Sequence, residues 1–249
     1  MKSARIFDLE IAAGTRKELV RRVLSIFECG GAVATVNAVM LERARKSASF
    51  HRTLADMALR VPDGVGVARA MHGFGAASEA LPGVELGLML PRLRPNLRIA
   101  LYGSAPSVAQ RAGRELQKGA PESKIVLVRD GYLHTPFEIA RELAPLRPDL
   151  VYVCLGSPKQ EEVSLMLSRL LGRAVVIGLG GSFDIWSGDK RRAPSKMRAL
   201  GLEWLWRMIR EPRRFFQFPT LVSFKMHIFA EQICAKFTKS GGGSAQAKK

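Results

Sequence analysis

Glycine turns at the ends of apolar runs are where this chain could handle phosphate and sugar. Residues 176 to 214 join Gly180-Gly181, an acidic loop at Asp184, the basic cluster Lys190-Arg191-Arg192 and a tryptophan-bearing amphipathic segment in one unbroken stretch. Pro106 after Gly103-Ser104, and Pro158 in Gly156-Ser157-Pro158, each read as a helix start, so both turns leave backbone amides free. Such helix N-termini favour phosphate through their exposed N–H groups and partial positive charge. For any single turn the alternative is that glycine only lets a strand bend into a helix, and recurrence is what favours the ligand. Thr35 and Asn37 close the run Ala32 to Val36 with side chains that can hydrogen-bond a sugar or diphosphate, or cap a helix beginning near Ala38. Gln160 offers an amide that both donates to and accepts from a sugar hydroxyl, or else sits on a surface helix.

Those turns need strands to hold them. Ala32 to Val36, Leu97 to Tyr102, Leu150 to Leu155 and Ala174 to Leu179 are short, rich in Val, Ile and Leu, and each is followed by a segment with helical apolar spacing, such as Val108, Ala112 and Leu116. Ile125 to Val128 adds a fifth strand, and Arg5 to Leu9 an edge strand. Strands alternating with helices predict an α/β fold, a Rossmann-like, mostly parallel sheet flanked by helices. Ligands of such sheets collect beyond the carboxyl ends of the strands. From Met197 onward, Met197, Leu200, Trp204, Leu205, Met208 and Ile209 fall on one helical face and Arg207 and Arg210 on another. Pro212 predicts a break before Arg213, Arg214 and the aromatic run Phe215, Phe216 and Phe218. The expected organisation is an α/β domain over residues 1–195, a basic amphipathic helical appendage over 196–238 and a flexible tail over 239–249.

The formal charge of +17 implies an anionic partner without saying which. Its distribution is uneven: residues 187 to 249 hold 14 Lys and Arg against 4 Asp and Glu. Aromatics beside Arg and Lys at this density suit a membrane interface, with an ordinary core-facing helix as the alternative. Cys29, Cys154 and Cys234 are too scattered for a disulfide framework or a metal site, which fits a reducing cytoplasm. Asp8 and Glu10 argue against a signal peptide, and no apolar run approaches the roughly 18 to 20 residues that cross a bilayer.

Two signatures can be set aside. Gly64-Val65-Gly66-Val67-Ala68-Arg69 ends in Arg where a dinucleotide fingerprint needs a small residue, and no Gly-Lys-Ser/Thr phosphate loop is present. An Asp-x-Asp pair, which would hold a divalent ion for a sugar nucleotide, is also missing. What remains has a distinct pattern. Ala34-Thr35-Val36-Asn37, Pro62-Asp63-Gly64, Pro82-Gly83-Val84-Glu85-Leu86, Leu101-Tyr102-Gly103-Ser104, Asp130-Gly131-Tyr132, Leu155 to Glu161, and Arg192-Ala193-Pro194 through Gly201-Leu202-Glu203-Trp204 follow one another in order. In sequence and spacing this series resembles the WecG/TagA/CpsF glycosyltransferase family, over roughly residues 5 to 217.

The resemblance implies an inverting, metal-independent transfer of a hexose or N-acetylhexosamine, N-acetylmannosamine first among them, from a UDP-sugar to a polyprenyl-diphosphate-linked sugar in cell-surface polymer assembly. It implies no cofactor and no nucleic-acid partner. It assigns Asp63 as the base that takes the acceptor hydroxyl proton; the residue's alternative use is to shape the turn before Gly64. Thr35, Asn37, Gly103, Ser104, Gly156 and Gln160 become substrate contacts. Arg207 and Arg214 become the charges that neutralise departing UDP. Arg210, Arg213, Phe215 and Phe216 become contacts to an anionic membrane surface, placing the protein peripherally on the inner face of the bacterial cytoplasmic membrane. A homo-oligomer is open, since Trp204, Met208 and Ile209 could pack on the domain, on a second subunit or on lipid. The rival expectation, from charge alone, is a non-catalytic α/β module binding anionic lipid or nucleic acid.

Overall fold

The computed structural model describes residues 2–132 and 135–241, with the side chains of Arg213 and of residues 235–241 outside the description. The chain opens with a hairpin, β1 (Ser3–Ile6) and β2 (Leu9–Ala12), paired antiparallel. This corrects the expected strand Arg5 to Leu9, whose middle is the turn: Phe7 and Asp8 take positive φ of 49° and 61°, the left-handed pair of a tight hairpin. Ile6, Leu9 and Ile11 are buried beneath it.

The remaining strands are β3 (Gly31–Val36), β4 (Leu59–Pro62), β5 (Arg98–Gly103), β6 (Lys124–Arg129), β7 (Leu150–Cys154) and β8 (Val175–Gly178). They form one parallel sheet in the order β4-β3-β8-β7-β5-β6. Helices cover both faces, so the central strands are buried on both sides and carry continuous Val, Ile, Leu and Ala. On one face lie α1 (Arg16–Ser25), α5 (Gly83–Leu93), α6 (Pro106–Gly119) and the short α9 (Ser182–Trp186), packed on Val33, Val61, Leu101, Tyr152 and Ile177. On the other lie α2 (Ala38–Lys46), α3 (Ala48–Ala55), α4 (Val65–Gly73), α7 (Pro136–Leu146) and α8 (Lys159–Leu171), packed on Ala34, Val36, Tyr102, Val153 and Val176. Strand β4 was not foreseen. It has four residues, Arg60 interrupts its apolar run, and Pro62 ends it, which only an edge strand tolerates.

Beyond the sheet come α10 (Ser195–Ala199), α11 (Glu203–Arg210) and α12 (Phe218–Gly241). The continuous helix expected from Met197 is divided by Gly201, whose φ of 73° closes α10: its amide donates to the Arg198 carbonyl and that of Leu202 to Met197. The break at Pro212 is present, with Glu211 extended before it. Because the helix restarts at Glu203, the expected faces also change. Met208 is buried, Leu200, Trp204 and Ile209 are exposed, and Arg207 turns inward with Met208. The expected tail, 239–249, lies outside the described residues from 242 onward, and α12 includes its first three.

Helix α12 returns to pack on α2. Phe224 and Ile228 enter the core beside Met40 and Leu41, and the Phe7 ring meets Phe224 edge-on at 6.1 Å. A fully buried carboxylate, Glu42, joins the two helices: Arg45 at 2.9 Å, Lys46 at 3.4 Å, Ser223 Oγ at 2.8 Å and His227 Nδ1 at 3.4 Å surround it. Burial alone would raise its pKa, but the hydrogen bonds from Arg45 and Ser223 and the charges of Arg45 and His227 overcome it and hold it at about 2. The opposite side of α12 keeps Val222, Met226, Phe229 and Ile233 exposed.

Candidate active site

Strand β4 ends at Pro62, and Asp63 follows at the lip of the sheet. Its amide donates to the Val36 carbonyl at 2.8 Å and its Oδ1 accepts from the Gly83 amide, at the start of α5, at 3.2 Å. Burial pushes its pKa up to about 6, and the Glu203 carboxylate adds to this; the Gly83 amide and the Arg207 and Arg192 guanidiniums oppose it. A carboxyl so tuned is ionised at neutral pH yet more basic than an exposed aspartate, which suits proton abstraction.

Next to it, at the end of β3, Thr35 is buried and donates Oγ1 to the Gly178 carbonyl at 2.9 Å. Its oxygen lies just under Gly83: a Cβ there would come within 3.1 Å. Thr35 therefore ties β3 to β8 and supports the turn that holds Asp63. Asn37 caps α2, its Oδ1 accepting from the Met40 amide at 3.1 Å. Gln160 is not on a surface, contrary to one of the two expectations for it, because α8 presses that face onto β8. It is buried, its Oε1 accepts from the Gly180 amide at 2.9 Å, and its Nε2 donates to Glu161 at 2.6 Å. It thus fixes the Gly180-Gly181 turn. Burial raises the Glu161 pKa to about 7, against hydrogen bonds from Gln160 and Ser157.

At the other end of the row, Gly103 takes a φ of 128° with the Cys154 backbone against it, where no side chain would fit. Ser104, also left-handed at 62°, donates Oγ to Asp184 at 3.0 Å. Gly156 has open space before it. A cavity of about 330 Å³ lies beside Pro106, Gln110 and Asp130. The sequence-derived residues Asp63, Thr35, Asn37, Gly103, Ser104, Gly156 and Gln160 all fall at or just beyond the carboxyl ends of β3, β4, β5 and β7.

Arg207 reaches into this row from α11. Its Nη2 lies 3.6 Å from where a Cβ on Gly181 would stand. Burial lowers its pKa, as does the like charge of Arg214, while Asp63 works the other way. Among the described residues no carboxylate comes within ion-pair distance of it. Arg214 is half-buried and pairs with Glu211 at 3.0 Å, and Lys190 links Glu211 to Asp184. Arg210 stacks on Trp206 at 4.9 Å, and Phe215 and Phe216 are exposed; the side chain of Arg213 is outside the description. Three groups near Asp63 were given no role from sequence. They are Arg192, Glu203 and Glu85, joined by contacts of 2.7 Å (Arg192 to Glu85) and 3.2 Å (Arg192 to Glu203). All three sit inside the quoted motifs, which was the available signal.

The sequence model of the glycosyl transferase WecG/TagA/CpsF family matches residues 4–237. The chain belongs to that family. Among its relatives, the N-acetylglucosaminyldiphosphoundecaprenol N-acetyl-beta-D-mannosaminyltransferase of Bacillus subtilis (strain 168) is 32% identical over 206 residues, covering 82% of this chain and 80% of the relative. A Bacillus spizizenii protein of the same name is 31% identical over 189 residues, covering 75% and 74%. One from Staphylococcus aureus (strain MW2) is 26% identical over 201 residues, covering 79% and 78%. This WecG/TagA/CpsF member is a glycosyltransferase, which sets aside the non-catalytic basic module. No helix among its described residues is long and apolar enough to cross a membrane.

Proposed function

We propose that this enzyme transfers an N-acetylmannosamine-type sugar, with inversion and without a metal, from a UDP-sugar to a polyprenyl-diphosphate-linked N-acetylglucosamine during cell-surface polymer assembly. The observation that carries the reading is Arg207: a half-buried guanidinium with no ion pair among the described residues, set over the Gly180-Gly181 turn near a carboxyl whose pKa is raised to about 6. Desolvating such a cation is costly unless an anion completes it, and the diphosphate of a nucleotide sugar supplies one. The nucleoside end fits the Ser104, Asp184 and Asp130 side of the row, where the 330 Å³ cavity lies. That orientation brings the donor sugar to Thr35 and Asp63.

The reaction then runs across the sheet edge. An acceptor hydroxyl gives its proton to an Asp63 carboxylate oxygen as its own oxygen bonds to the anomeric carbon, and the bond to UDP breaks on the opposite face. Negative charge grows on the β-phosphate, where Arg207, with Arg214 behind it, stabilises the departure. The β linkage in the relatives' name, formed from an α-configured donor, calls for inversion. Residues 196–238 would form the membrane-facing appendage, with Arg210, Phe215 and Phe216 turned outward towards an anionic lipid surface.

Incubation with a panel of UDP-sugars and a short-chain diphosphate-linked N-acetylglucosamine, in EDTA, tests the reading. It predicts a β-linked product from UDP-N-acetylmannosamine at undiminished rate; an α-linked product, or loss of turnover restored by a divalent ion, would contradict it.

A further inference from the structure

An open groove of about 870 Å³ lies outside the row of strand ends, between the start of α1 and the length of α4. Val65 and Ala68 form its floor, Arg69 and His72 stand on α4, and Arg16 and Glu79 face them. It begins next to Asp63: Val65 is two residues further on, and Glu85, bonded to Arg16, is two residues past the Gly83 that donates to Asp63. Its lining carries two guanidiniums, Arg16 and Arg69, against one carboxylate, Glu79. Outside the lining, Glu85 gathers Arg16 and Arg192 at 2.7 Å and Arg198 at 3.6 Å. Arg69 lines the same groove further along. The one acid on the opposite wall, Glu79, is engaged by the backbone amide of Arg16 at 2.7 Å.

The far end of the groove points to the kind of ligand. At Gly73 the chain meets α12: the Gln232 amide occupies the space a Cβ would need, and its Nε2 donates to the Ala70 carbonyl at 3.2 Å. Phe229 and Ile233, flanking Gln232 in sequence, are exposed. The nine residues of α4 span about 13 Å at 1.5 Å each. The track therefore runs from a proton-accepting carboxyl, past a basic walled section, to an apolar helix surface. That succession matches a sugar, a diphosphate and a lipid tail in order.

We propose that Arg16 and Arg69 hold the diphosphate of the lipid-linked acceptor in this groove, so that its sugar reaches Asp63 from the β4 edge while the nucleotide occupies the β5 and β6 side. The proposal rests on the transferase reading for the identity of the acceptor. Guanidiniums suit it because each presents parallel N–H donors to phosphate oxygens. Glu85, held among three arginines, keeps the Arg16 side chain at the mouth and leaves an excess of positive charge for the ligand.

Titration calorimetry with farnesyl-diphosphate-linked N-acetylglucosamine, in the absence of donor, tests it on the full chain. Arg16→Ala and Arg69→Ala are each expected to weaken binding about tenfold, and the pair more. The UDP-induced rise in melting temperature should be unchanged in all three, which also reports that they fold. A neutral-linker analogue should bind wild type and the double variant alike. Undiminished binding by the double variant, no binding by wild type, or equal loss of UDP and acceptor affinity would overturn the groove. Wild type that binds the acceptor through these arginines yet transfers no sugar would instead contradict the transferase reading and leave the groove standing.

Discussion

Asp63 and Arg207 illustrate how two ionisable residues are tuned by the same burial in opposite senses. Desolvation disfavours the charge on each, raising the pKa of the carboxyl to about 6 and lowering that of the guanidinium, while their mutual attraction partly restores both charges. The value of kcat/KM should therefore rise with pH on a limb centred near 6, as Asp63 of the free enzyme loses its proton. A kcat/KM that is flat between pH 5 and 7.5 would count against Asp63 as the base. The effect on stability has the reverse sign. Native Asp63 keeps a proton that the unfolded chain has released, so its contribution falls as pH rises from about 3.8 to about 6. At this scale the sequence was informative about which residues gather, because motifs at strand ends share one edge. The cap that Asn37 places on α2 was one of its two expected uses. The sequence was poor on Thr35 and Gln160, which spend hydrogen bonds on the backbone of Gly178 and Gly180, 143 and 20 positions away in the chain.

Among the elements, α12 is seated by Phe224 and Ile228 in the core and by the buried carboxylate of Glu42. Glu42 is held at about 2, below its ordinary 4.5, so its stabilisation is present in full above pH 4.5 and lost as pH falls towards 2. Replacing it by Gln should cost on the order of 2 kcal/mol and loosen α12 before the sheet. Hydrogen exchange would check this: faster exchange across 218–234 with unchanged protection in β3 and β7 is expected, and uniform loss would contradict it. The parallel sheet was legible because doubly buried strands read as continuous apolar runs. Strand β4 was not, since at an edge an arginine and a proline are tolerated, and Arg60 instead bonds the carbonyls of Glu10, Leu54 and Met57. Helical periodicity after Met197 was real but its phase was wrong, because Gly201 restarts the helix and turns Arg207 inward.

Taken as a whole, the molecule concentrates its charge at one end of the chain. The basic excess lies in the last quarter of the chain, which also carries the exposed Phe216, Met226 and Phe229. Binding to vesicles containing anionic phosphatidylglycerol should weaken severalfold with rising salt and with Phe216→Ser and Met226→Ser together. Turnover of a short-chain soluble acceptor by that double variant should stay at the wild-type rate, and vesicle binding that ignores both changes would remove the lipid role of this surface. Composition made an anionic partner legible, while the course of α12, folding back onto α2, depended on pairings between distant residues that no local pattern records. The proposed transfer turns on the carboxyl at the β4 edge. Turnover by Asp63→Asn tests it most directly, read beside the UDP-induced shift in melting temperature. A loss in kcat of about 10² or more, with the UDP shift intact, is predicted; turnover near the wild-type rate would contradict it.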